Sequence, residues 1–353
     1  MKRKNICIML IFVLVMFTIG NKTFTDAGSE DDFDFGVAKD YNLFILGNMN
    51  KSLADCEGRI AVGGNATLSS YTIGSKLTVD GTRADLYING NYNLDGVKMQ
   101  KGIIAVSSTS VNEGYSNIDI QHDGLTASEK AALVAAPIIK DNYIDFAAAS
   151  TYFMNLSSTW ASVPANGTVT AQYSTITFKG TDAVYNIFNL DPTAISELDN
   201  SNTEIAKSPM SKFTTITIDV PASSIVLVNV TGVDVELPNI EPLGTSGTFA
   251  ADRIIWNFPD ATSIKGGVST STCTIKGSVL APKATLYIDS AKSGHIDGNI
   301  VLGNLEALNT GSFETHIDGF ITLTTPIGGS ATPTPTPVIT PTPVITPTPV
   351  ITP

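Results

Sequence analysis

The sequence predicts a parallel β-helix of about 21 residues per coil with one long α-helix packed along its side. Four isoleucines, Ile254, Ile275, Ile296 and Ile317, follow one another at intervals of 21 residues. Around three of them the pattern Ile-x-Gly recurs, as Ile275-Lys276-Gly277, Ile296-Asp297-Gly298 and Ile317-Asp318-Gly319. A fixed period near 20 residues with Gly-rich corners marks a solenoid whose units cannot bury their own apolar face. At ~3.3 Å per strand residue, that length suits one coil of short strands and leaves little room for a strand plus a helix. The third observation, which predicts the helix, is a break in the β pattern between Leu125 and Trp160.

Taken in order, Lys2-Arg3-Lys4 precedes an apolar run from Ile6 to Ile19, and small or polar residues follow up to Ala27. Residues 1–27 therefore read as a secretory signal peptide, the run being shorter than the ~20 residues of a spanning helix. Glu30-Asp31-Asp32-Phe33-Asp34 reads as a solvated arm, since no calcium-loop spacing accompanies it. The block from Gly58 to Leu68 echoes Gly277 to Leu286 and Gly298 to Leu308, which places the N-terminal part in the same solenoid. Gly81 and Gly102 are again 21 apart, and Gly47, Gly63 and Gly64 fall at corners where tight backbone explains them.

Thr126-Ala127-Ser128-Glu129 is a capping box, and Pro137 ends or kinks the segment it opens. Beyond it, Ile139, Tyr143, Phe146, Phe153, Leu156 and Trp160 fall at helical steps. One amphipathic helix of about 20 residues is expected, its aromatic stripe covering an apolar wall. Strand patterns resume at Val169 to Phe178, Val184 to Leu190, Phe213 to Val220 and Ile225 to Val230. The solenoid domain is bounded at residues 34–324, and residues 325–353 form a Pro/Thr-rich extended linker. Its last 22 residues, Thr332 to Pro353, would reach ~70 Å as polyproline II.

Only 15% of the residues are charged, and the formal net charge is −12. Removing residues 1–27, which carry Lys2, Arg3, Lys4 and Lys22 against Asp26, takes away +3 and leaves −15. Such a body repels nucleic acid and anionic lipid. Beyond residue 27 two cysteines remain, Cys56 and Cys273, which can close one disulfide or stay buried thiols.

The motifs YNLFILGNM, EGRIAVGGNATLSSYTIG, AVYNIFNL, IIWNFPDATSI, IKGSVLAPKATL and IDGNIV occur in that order from about Asp34 to Thr324. In this combination the chain resembles the choice-of-anchor A domain family. The resemblance implies a secreted, non-catalytic domain of the cell surface, held to the envelope by an anchor that this sequence does not identify. The coils and the long helix are also similar to the solenoid of secreted ice-binding proteins, which implies a right-handed parallel β-helix. The family brings no catalytic residues.

β-Helices also host polysaccharide lyases and hydrolases, whose catalytic motifs would be legible in the sequence. No G-x-S-x-G elbow, H-E-x-x-H motif or phosphate loop is present, and the 21 Lys and Arg form no cluster with acids. The exception is a stacked constellation. With Ile275, Ile296 and Ile317 inward, Arg253, Thr274, His295 and His316 form one outward column, and Ile255, Lys276, Asp297 and Asp318 the next. His295, Asp297, His316 and Asp318 would then share one patch, either as a His-Asp hydrogen-bonded ladder or as ligands to a divalent metal. Ice binding calls for a regular Thr array, which these mixed columns lack. The expected function is a surface-displayed adhesin-like module that meets an extracellular polysaccharide, a matrix protein or its own copies. The alternatives are a polysaccharide-active enzyme and an ice-binding protein.

Overall fold

Short β-branched and aromatic runs separated by Gly-Asn corners become short parallel strands whose neighbours come from distant coils. A computed structural model describes residues 34–327 except 246, 290, 291, 309–311, 322 and 324–326. The expected signal peptide and all but Ile327 of the expected linker lie outside the described residues. Over the described residues the chain is mainly β, with two α-helices and strongly curled, largely parallel sheets.

The first coil comprises strands Leu43–Ile45, Met49–Ser52 and Asp55–Cys56. Each pairs in parallel with its equivalent in the next coil, Ile60–Val62, Ala66–Ser69 and Thr72–Ile73. Two further coils continue the stack to Ile120. The opposite edge of the first coil is also occupied, by the last coil of the domain: Leu43 lies beside Ile300, Met49 beside Leu305 and Cys56 beside Thr315. Strand order therefore departs from chain order. The chain enters mid-stack, winds outward to Ile120, crosses through the helices, restarts at the far end and winds back to its starting point.

Two buried asparagines join the halves at this seam. Asn42 donates to the carbonyls of Gly298 (2.8 Å) and His316 (3.0 Å). Asn299 donates to those of Ala38 (3.3 Å), Lys39 (3.1 Å) and Tyr41 (3.1 Å), and its oxygen accepts from the Ile321 amide. An asparagine ladder runs along one corner and crosses the seam. Asn304 Oδ1 accepts from the Asn48 amide, Asn48 Oδ1 from Asn65, Asn65 Oδ1 from Asn91 and Asn91 Oδ1 from Val111, at 2.8 to 3.1 Å. Three of the preceding glycines are packed so closely that a Cβ at Gly64 would stand 2.4 Å from Asn48 Oδ1, one at Gly47 2.4 Å from Asn304 Oδ1 and one at Gly90 2.7 Å from Asn65 Oδ1. Close packing against the ladder is sufficient reason for glycine there.

Helix α1 (Ala127–Ala135) starts at the expected capping box: the Glu129 amide donates to Thr126 Oγ1, and the Thr126 amide to the Glu129 carboxylate. Helix α2 (Phe146–Ser162) is capped by Asp145, whose Oδ1 accepts from the Ala148 amide at 2.9 Å. The single helix expected from the aromatic stripe is thus corrected. Pro137 ends the first segment, Ile138–Ile139 instead adds a strand to Ala105–Val106, and Tyr143 precedes the second helix. The buried face of α2, with Phe153, Leu156 and Trp160, covers an apolar column running Leu280, Val301, Phe44, Ala61, Tyr87, Ala105 across the seam. Phe44 meets Phe146 and Phe153 at ring-centroid distances of 5.4 and 5.5 Å. A buried polar knot holds the other end of α2. Asn257 donates to the Ser157 carbonyl (2.9 Å) and to Asn229 Oδ1 (2.8 Å), and Asn229 donates to the Trp160 carbonyl (3.1 Å).

Beyond the parallel ladders, a seven-stranded sheet at the restart end contains antiparallel pairs, such as Thr168–Gln172 with Thr175–Lys179. The 21-residue isoleucine column is only partly real. Ile275 and Ile296 are ladder neighbours, but Ile254 lies in a different sheet and the residue beside Ile296 is Thr315. Loop lengths vary from coil to coil, so equal spacing in sequence does not guarantee equal position on the stack.

Candidate metal centre

Two strands of one wall build the site, Ser293–Asp297 and Phe313–His316, the second lying against Asp55–Cys56 at the seam. Side chains alternate, so Ile296 and Thr315 point inward while His295, Asp297, Glu314 and His316 share the outer face. The coil between these strands is two residues shorter than expected, pairing His295 with Glu314 and Asp297 with His316. His295 and His316 still meet diagonally, their rings stacked with centroids 4.5 Å apart. Asp318 is exposed and lies outside the cluster. Glu314 is the residue that sequence reasoning missed. Its signal was available, since Glu314-x-His316 puts both on one face of a strand.

Asp297 Oδ1 stands 3.1 Å from His316 Nδ1 and 3.6 Å from His295 Nε2, and the Glu314 carboxylate stands 3.3 Å from His316 Nε2. The ligand atoms of His295, Asp297 and His316 all lie within 4.8 Å of one another. Burial pulls His316 down, but its bond to Glu314 and the charges of Glu57 and Asp297 outweigh it, leaving its pKa raised. For His295, burial prevails and the net shift is downward, with His316 adding to it and Asp297 opposing. Burial would raise Glu314, but the hydrogen bonds from Ser312 and His316 hold it below its usual value. Imidazole nitrogens and a carboxylate oxygen at these separations form a donor set suited to a borderline divalent ion.

Cys56 and Cys273 are both buried free thiols, each pushed up to about 12 by burial, so neither is a ligand to this site or a ready nucleophile. A cleft of about 470 Å³ lies near the restart end. Asp234, Glu236 and Lys265 line it with Pro192 and Pro209, and no aromatic ring does so. Lys265 is paired with Glu236 at 3.6 Å. No helix among the described residues is long and apolar enough to cross a membrane.

No curated protein matches the sequence. A family model described as "Putative Ice-binding-like adhesive domain" matches residues 34–317, from the entry of the first coil to the last strand of the seam. That span takes in both arms of the stack, the asparagine ladder, both helices and the His-Asp cluster, and on it the chain belongs to the ice-binding-like adhesive domain family.

Proposed function

We propose that the chain is a non-catalytic adhesive module of the choice-of-anchor A type, secreted or displayed at the cell surface. In this reading the domain is a right-handed parallel β-helix braced by α2, and the Pro/Thr-rich residues 325–353 form its spacer. Beyond the family match, one structural observation carries the reading. On the wall adjoining the asparagine corner, seven outward residues align coil by coil as Asn93, Thr67, Asn50, Glu306, Tyr287, Lys265 and Glu236. Coils are ~4.8 Å apart, so this row extends roughly 29 Å without interruption at the seam. Its mixture of amide, hydroxyl, charged and phenolic groups suits repeated weak contacts with a polysaccharide or a matrix protein, or with a second copy. It departs from the uniform threonine array that ice recognition calls for.

The test is a binding screen of the purified chain on glycan and matrix-protein arrays, followed by product analysis of every bound glycan. Binding without new reducing or unsaturated ends, weakened by the paired change Asn50→Ala and Tyr287→Ala, is the expected result. Cleaved product would overturn the non-catalytic reading and direct attention to the cleft at Asp234, Glu236 and Lys265. A freezing gap with faceted ice crystals would replace it with ice binding.

A further inference from the structure

The hydrogen-bond inventory of a neutral His316 does not close on protein atoms alone. Both of its ring nitrogens face carboxylate oxygens, Nδ1 toward Asp297 and Nε2 toward Glu314. A neutral imidazole carries a single N–H and can satisfy only one of them. The same Asp297 oxygen is faced by a second imidazole nitrogen, His295 Nε2. Three potential donor atoms thus converge on one small volume, in a patch that also contains Glu314 and Glu57.

We infer that His295 Nε2, Asp297 Oδ1 and His316 Nδ1 bind a divalent transition metal, zinc being the best fit, which clamps the last two coils beside the seam. Four ligand atoms about 2.0–2.1 Å from a tetrahedral ion lie roughly 3.3 Å apart; Asp297 Oδ1 stands 3.1 and 3.6 Å from the two imidazole nitrogens, and all three atoms lie within 4.8 Å of one another. Glu314 takes the position of an outer carboxylate: accepting the Nε2 proton fixes the tautomer in which Nδ1 offers its lone pair. Three protein ligands leave one coordination position for water. The histidine side chains remain 29% and 23% exposed, so an ion reaches the site without unfolding. This site is independent of the polar row on which the adhesive reading rests.

The full chain, stripped with chelator and dialysed, is titrated with zinc chloride by calorimetry and with cobalt chloride by visible absorption. The expected result is one equivalent bound and the intense d–d bands of tetrahedral cobalt. The melting temperature should rise by roughly 5 °C with zinc at about 100-fold its Kd. His295→Ala and His316→Ala should each weaken binding by at least 10-fold, and Glu314→Gln by about 10-fold. Asp318→Asn should leave it unchanged. Circular dichroism checks each variant, and if His316→Ala does not fold, the partly exposed His295 decides. No uptake by the wild-type chain, or undiminished uptake by the His295→Ala variant, overturns the assignment.

Discussion

Replacing Asn299 with leucine tests whether the seam is a structural joint or merely a place where two stacks touch. Leucine has the same branched heavy-atom skeleton as asparagine but is bulkier, so the change deletes polar bonds without opening a cavity. The amide of Asn299 serves three carbonyls, and its oxygen serves the Ile321 amide. The bonds to Ala38 and Tyr41 are fully buried. The Ala38 carbonyl keeps the Tyr41 amide at 3.0 Å, so the loss falls mainly on the Tyr41 carbonyl and the Ile321 amide. At about 1–3 kcal/mol for each unpaired group, with about 1 kcal/mol returned by the apolar replacement, the net loss should be about 1–5 kcal/mol. Asn299→Asp should be at least as damaging, because it keeps the acceptor while turning a carboxylate toward three carbonyls. Urea unfolding can be followed through the only two tryptophans, Trp160 and Trp256, both buried. Hydrogen exchange should accelerate first at Leu43–Ile45 and Ile300–Leu302, the paired strands of the joint. A loss below 1 kcal/mol with unchanged exchange at those amides would refute the reasoning.

Other expectations follow from the corners, the core and the helix. Gly64→Ala drives a methyl into Asn48 Oδ1 and the Gly47 backbone, and should cost about 2 kcal/mol in thermal unfolding. Trp160→Ala empties a fully buried site under α2 and should cost about 3–5 kcal/mol, with protease cleavage between residues 136 and 165. Lys51 is buried, and its ammonium donates to the carbonyls of Ser52 and Leu53 at 2.6 Å, yet burial pulls its pKa from 10.5 down to about 8. Between pH 8 and 10.5 the unfolded chain therefore holds the Lys51 proton that the folded chain has released. The Lys51 contribution to stability should rise across that window by at most ~1.4 kcal/mol per pH unit. Below pH 8 both states are protonated and the slope vanishes. Cys56, raised to about 12, works in the opposite sense above pH 9, so the informative quantity is the difference between wild type and Lys51→Met. Parallel stability curves for the two proteins across that window would sink this assignment.

The strand runs and corners were legible because alternation and Gly-Asn punctuation are local properties. Gly47-Asn48, Gly64-Asn65, Gly90-Asn91 and Gly303-Asn304 all mark the same corner, and their irregular spacing hides the ladder from any search for a fixed period. The capping box was legible for the same reason. The seam was not, because pairing Leu43 with Ile300 depends on a closure that no short window contains. The candidate site shows both outcomes. Alternation correctly put His295, Asp297 and His316 on one face, whereas the coil shortened by two residues moved Asp318 away and brought Glu314 in. Lys51 was also visible in principle: it stands between Leu68 and Ala307 on an inward column, where an ammonium is unexpected.

The mid-stack entry of the chain sets the order in which the domain can be completed. As the chain emerges from its N-terminal end, the first coil can pair with the second at once, but its other edge waits for residues near 300. Until then it presents open backbone donors and acceptors, the kind of edge that recruits foreign strands. Contacts spanning more than 250 residues close last, and loop-closure entropy makes such contacts slow to form. The rate-limiting event in folding should therefore be the meeting of the two halves, and a partner able to shield the Leu43–Ile45 edge until then would raise the yield of folded domain more than one acting on either end of the stack.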